Sequence, residues 1–132
     1  MSVFSKASKA RLETCAEPLQ RLMEAAIIKG MDFSILCGER SEKEQTEAFN
    51  SGHSKVKFPN SKHNKVPSEA VDIAPWPIAW DDIQRFKDLA LIIQTTWNGM
   101  PESERDGYTL EWGGSWQRFK DYPHFQITKE KK

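Results

Sequence analysis

What this sequence lacks narrows it before any motif is considered. It has two cysteines in 132 residues, which gives neither the disulfide framework of a small secreted scaffold nor a zinc-finger spacing. Cys15 and Cys37 therefore read as buried free thiols. It has no excess of either charge: nineteen basic and nineteen acidic side chains sum to a formal +0, so no domain-wide positive field exists to hold a nucleic acid by counterion release. Long apolar runs are missing as well. The stretch Leu89-Ala90-Leu91-Ile92-Ile93 closes at Gln94, far short of the roughly 18 residues of a membrane span. The segment from Met1 to Cys15 carries Lys6, Lys9, Arg11 and Glu13 without an apolar run and does not resemble a secretory signal. These absences predict a chain with no nucleic-acid partner and no membrane insertion, made and folded in the cytoplasm.

What is present is a globular composition, 38% hydrophobic and 29% charged, which excludes disorder as the main state. The length fits a single domain over 1–132, expected as a monomer. Leu12, Cys15, Ala16, Leu19, Leu22, Met23, Ala26 and Ile27 recur at helical steps. Because Pro18 is tolerated only in a first turn, the pattern predicts one helix to about Cys15 and another from Pro18 to Lys29, stopped by Gly30. Phe33 to Cys37 reads as a strand. Ser41 and Glu44 form a capping box opening a helix to Asn50. Residues 52–68 read as a long loop, and long loops in small domains are often functional. In the strand at Val71 and Ile73, alternation buries that pair and sends Ala70, Asp72 and Ala74 to the opposite face. Asp81 or Asp82 caps a helix that runs to Asn98-Gly99, a polar loop spans Pro101 to Gly107, and Tyr108 to Trp112 and His124 to Ile127 read as strands. A frayed tail is expected over 129–132. The fold class predicted is α+β, a small antiparallel sheet flanked by helices.

His63, Asp72 and His124 fall at openings rather than in the core. Phe125 and Ile127 claim the buried face of the last strand and turn His124 outward with Gln126. Two imidazoles and one carboxylate suit Zn²⁺, and three protein ligands leave a tetrahedral position for water, as catalytic zinc sites do. Asp121, three residues before His124, would enter the strand close to such a metal, placed to take a proton. Each residue also has an ordinary reading: a solvated strand aspartate, a loop histidine, a turn former, and an Arg40 paired on the surface. The tryptophans are expected in packing, with Trp112 beside Gly113-Gly114 the one candidate for a ligand platform.

Four separated blocks carry a resemblance. Ser61-Lys62-His63, Ala70-Val71-Asp72-Ile73-Ala74-Pro75, Glu111-Trp112-Gly113-Gly114-Ser115-Trp116 and Asp121-Tyr122-Pro123-His124-Phe125 together resemble the zinc peptidases of bacterial cell-wall peptides. The blocks closely resemble those of phage L-alanyl-D-glutamate endopeptidases and D-alanyl-D-alanine carboxypeptidases of the lysostaphin, carboxypeptidase and Hedgehog superfamily. Gly38-Glu39-Arg40-Ser41 with Gln45 is similar to the family's strand-to-helix arginine motif. The resemblance implies zinc held by His63, Asp72 and His124, with Asp121 as general base. It implies Arg40 on the scissile carbonyl or a substrate carboxylate, and Ser61 and Trp112 at the substrate. Glu111 would orient a ligand imidazole or serve structure alone. The implied substrate is the peptidoglycan stem peptide, and the implied activity an L-Ala-D-Glu endopeptidase stored in the cytoplasm until phage-driven lysis releases it to the cell wall. The implied alternatives are a D-alanyl-D-alanine carboxypeptidase and a zinc-stabilised binding module without catalysis. The loop between His63 and Asp72 is longer than in the carboxypeptidase branch, a mark of phage-type members.

Overall fold

The structure, a computed structural model, describes residues 2–129. Helix α1 spans Lys6–Leu12, its first turn closed by the Ser5 hydroxyl accepting from the Ser8 amide at 3.1 Å. It stops before Cys15, earlier than the periodicity suggests, because residues 14–16 instead bond to the loop end at Ser68. Helix α2, Glu17–Ala26, takes Pro18 in its first turn, where the missing amide has no intrahelical partner to lose. A 3₁₀ turn, Ile27–Lys29, follows and ends at Gly30 with φ of 108°, a left-handed conformation that glycine adopts without penalty.

Strand β1, Phe33–Cys37, leads to helix α3, Glu42–Asn50, opened by the reciprocal Ser41–Glu44 box. The long loop carries a 3₁₀ turn at Lys62–Asn64 and delivers strand β2, Ala70–Pro75. Helix α4, Ile83–Gly99, is capped by Asp82. The stretch expected as a polar loop contains a single helical turn, α5, Glu102–Arg105, after Pro101. Strand β3, Tyr108–Trp112, passes through a 3₁₀ turn at Gly113–Ser115 to strand β4, His124–Lys129. Lys129 is the last strand residue rather than the start of a tail, and 130–132 lie outside the described residues.

The four strands form one antiparallel sheet in the order β1-β2-β4-β3. Leu19, Leu22 and Met23 of α2 and Leu89, Ile93 and Trp97 of α4 join Ile35, Val71, Ile73, Phe125 and Ile127 in one buried core. Helix α1 guards the β1 edge: Ser8 Oγ accepts from the Ile35 amide and Arg11 donates to the Ile35 carbonyl. An open strand edge is thereby satisfied within the chain. Beside Asp72, the alternation expected in β2 holds only in part. Ala70 and Ala74 are also fully buried, and Cys15 Sγ approaches the Ala70 carbonyl to 3.9 Å. Cys37 departs from expectation too, being half-buried while Cys15 is buried. Among the described residues, no helix is long and apolar enough to cross a membrane.

Candidate active site

The face of the sheet opposite α2 and α4 carries a cavity of about 660 Å³. Strand register builds its floor. Asp72 of β2 stands opposite Cys37 of β1 on one side and His124 of β4 on the other. His63 comes from the long loop, fixed there by the Lys62–Asn64 turn in which Ser61 Oγ accepts from the His63 amide at 3.1 Å. Both imidazoles converge on a single oxygen: His63 Nε2 lies 3.3 Å and His124 Nδ1 3.1 Å from Asp72 Oδ1. The rings meet edge to face with centroids 5.1 Å apart.

Each ring is anchored by its other nitrogen. His63 Nδ1 lies 2.8 Å from the Gly38 carbonyl; a carbonyl only accepts, so Nδ1 carries the hydrogen and Nε2 is left to face Asp72. His124 Nε2 lies 2.8 Å from Gln126 Oε1, which leaves Nδ1 toward Asp72. Outer groups that fix a ring's orientation in this way are the usual support of metal-ligating histidines. The donors fall into two groups, Asp72 with Asp121 and His124, and Asp72 with Cys37 and His63, in each of which the donor atoms lie within 4.8 Å of one another. They meet on Asp72. The donor chemistry, imidazole nitrogen and carboxylate oxygen around one point, fits a borderline divalent cation such as zinc.

The electrostatics agree. Burial works against a charged His63, yet the Asp72 carboxylate and its hydrogen bond outweigh it and push the ring up to about 10. Burial likewise opposes a charged Asp72, but His63 and His124 hold the carboxyl far below its ordinary range. The cluster without a cation thus retains protons that a metal would displace. Asp121 moves the other way: burial, then the neighbouring Asp72 charge, raises its proton affinity. Its backbone is clamped to the glycine turn, with the Asp121 amide donating to the Gly113 carbonyl at 3.0 Å and the His124 amide to the Asp121 carbonyl at 3.1 Å. A Cβ at Gly113 would come within 2.5 Å of that Asp121 oxygen, so this approach requires glycine.

Arg40 lines the cavity with its guanidinium between Gln45 Oε1, at 3.0 Å, and Asp72 Oδ2, at 3.4 Å. Gln45 is fully buried and donates to Ser54 Oγ and the Val56 carbonyl, tying α3 to the 51–60 loop. Ser61 lines the cavity; Trp112 does not. The Trp112 indole donates to the Tyr122 carbonyl and stacks on Phe125. The aromatic lining comes instead from Trp80, Trp116 and Phe119, on loops whose sequence carries no periodicity to reveal their direction. Glu111 touches neither imidazole of the cluster: it accepts from the Trp116 indole, whose ring lies 5.3 Å from that of His124. Gln126 holds His124, a role its outward position in β4 could have suggested.

An α+β scaffold whose open cavity holds two imidazoles, a shared carboxylate and a second carboxylate of raised proton affinity carries the groups that a hydrolytic site uses. The model of the phage L-alanyl-D-glutamate peptidase family matches residues 1–130, and the chain belongs to that family. It is 31% identical over 122 residues to the peptidoglycan L-alanyl-D-glutamate endopeptidase CwlK of Bacillus subtilis (strain 168), covering 80% of this chain and 66% of that protein, about two thirds of its length. Its fold matches the crystal structure of the Serratia marcescens L-Ala D-Glu endopeptidase ChiX with a TM-score of 0.74 and 27% identity, over 96% of this chain and 90% of that one.

Proposed function

We propose that this chain is a zinc-dependent endopeptidase hydrolysing the L-Ala-D-Glu bond of peptidoglycan stem peptides, working as a monomer through one domain over 1–132. The carrying observation is the convergence of His63 and His124 on one oxygen of Asp72 beside Asp121 in the same cavity. His63, Asp72 and His124 would hold the zinc. The chemistry that zinc supplies when bound is polarisation of the scissile carbonyl and acidification of the attacking water.

The chain's own residues do the rest. Asp121 accepts the proton of the attacking water and returns it to the amine of the departing D-glutamate, a task that its raised proton affinity favours. Arg40 faces the same cavity, where its guanidinium stabilises negative charge developing on the carbonyl oxygen more than the neutral ground state. Ser61 contacts the peptide near the cluster. Trp80, Trp116 and Phe119 give apolar walls, and Lys55 and Arg118 on the rim suit the free carboxylates of stem peptides. Synthesis in the cytoplasm, with action on the wall after phage-driven release, completes the reading.

Mass spectrometry of fragments from defined muropeptides, run beside a zinc assay of the same protein, tests it. A new amino terminus on D-Glu is expected. Release of free D-Ala would make the chain a carboxypeptidase, and stoichiometric zinc with intact peptidoglycan would make it a binding module.

A further inference from the structure

Cys37 stands in the same cross-strand row as Asp72 and His124 through an irregularity in β1. Ile35 pairs with Ile73, so regular antiparallel counting would set Leu36 opposite Asp72. The register shifts between Ile35 and Cys37, and Cys37 takes that place. Residues directly opposite on neighbouring strands share a face, with Cβ atoms about 5 Å apart. The consequence is chemical. A Cys37 sulfur, a His63 ring nitrogen and an Asp72 oxygen all lie within 4.8 Å of one another. The thiol is free and half-buried, and its sulfur lies 3.6 Å from the Gly38 carbonyl that also anchors His63.

We propose that Cys37, His63 and Asp72 form a second cation position, selective for thiophilic divalent ions such as Cd²⁺, whose filling shuts down the peptidase. The inference rests on the zinc reading given above, because the two positions compete for His63 and Asp72. Thiolate sulfur favours soft cations over the nitrogen and oxygen donors of the neighbouring group. Binding forms a metal–sulfur bond and releases the thiol proton to solvent, with no change of oxidation state. An ion seated there takes His63 and Asp72, two of the three donors that a catalytic zinc needs, and so excludes the zinc.

The test is titration of the metal-free protein with Cd²⁺, followed by its sulfur-to-cadmium charge-transfer absorption. Wild type is expected to show the band, Cys15→Ser to keep it and Cys37→Ser to lose it. In the zinc-loaded enzyme, Cys37→Ser should raise the half-inhibitory Cd²⁺ concentration about tenfold or more, each protein being compared with its own uninhibited rate. Cadmium-113 resonance of the wild type needs no variant and reports a sulfur donor directly, so a Cys37→Ser protein that fails to fold leaves the test intact. No sulfur-bound cadmium in the wild type, or a band that survives in Cys37→Ser, overturns the proposal. Cleavage of muropeptides without a cadmium–sulfur band removes this position alone. A band without any cleavage removes the peptidase reading and the inhibitory role with it.

Discussion

Val71, Asp72 and Ile73 are consecutive in one strand and face two different environments. Val71 and Ile73 have no exposed surface and lie among the aliphatic side chains of α2 and α4, where burial of each contributes about 1.5–3 kcal/mol through loss of water contact. Asp72 faces the cavity, and its charge is offset by His63, His124 and Arg40. A half-buried carboxylate surrounded by groups that bind protons or a cation adds little net stability, since desolvation consumes most of the attraction. Many hydrocarbons could fill the first face at similar packing. The second face works only with these donors at these distances. Stability and chemistry are thus separated by the pleat of a single strand.

The strongest way to sharpen that contrast is Asp72→Ala. Both imidazoles lose their common partner, so stoichiometric zinc and muropeptide cleavage should disappear together, while circular dichroism still reports a folded sheet. Zinc retained at full stoichiometry would break the comparison. Metal removal offers a complementary measurement. In the metal-free protein the raised His63 value means that its stabilising contribution is complete below about 6.5 and is lost as pH climbs through about 10. Asp72, depressed in the folded state, contributes above 3.8 and loses that contribution only in stronger acid. The melting temperature of chelated protein should therefore fall on the alkaline side, and added zinc should flatten that fall.

Next in size is Asp121→Asn, which keeps the shape but removes the base. Loss of a positioned general base lowers kcat by about 10²–10⁴-fold, with zinc content unchanged. A comparable loss of zinc would make Asp121 a ligand, which its grouping with Asp72 and His124 within 4.8 Å also permits sterically. On the opposite face, Ile73→Ala leaves a cavity in the core and costs about 2–5 kcal/mol of unfolding free energy. Denaturant titration should show that loss, while the rate per folded molecule stays near wild type at low temperature. Equal damage to both would mean that the two faces are coupled.

The same division explains what the sequence discloses. Phe33 to Cys37 and Tyr108 to Trp112 match their strands residue for residue, and the Ser41–Glu44 box opens α3 where expected. These features are local, set by alternation, capping and glycine. Chain direction and family likeness single out His63, Asp72 and His124, and both imidazoles approach Asp72 Oδ1. Their immediate neighbours were not legible. Cys37 reaches the row only because β1 slips its register, and no periodicity announces a slip. Trp112 and Trp116 exchange their expected places because the Gly113–Ser115 turn decides which indole looks into the cavity.

Gln126→Ala is the mildest probe of the site face and the most specific. Gln126 sits on β4 two residues beyond His124 and takes the Nε2 hydrogen at 2.8 Å, so it sets the tautomer that presents Nδ1 to Asp72. Losing such an outer partner weakens metal affinity by about 10–100-fold. Chelator competition should show that drop, and saturating zinc should restore most of the rate, because no donor to the metal has been removed. Gln126→Glu keeps an acceptor at the same distance and adds negative charge, which should make affinity equal to or above wild type. If both substitutions left affinity untouched, the orientation of His124 would be the work of the Trp116 ring packed against it. The polar face would then depend, like the core, on packing.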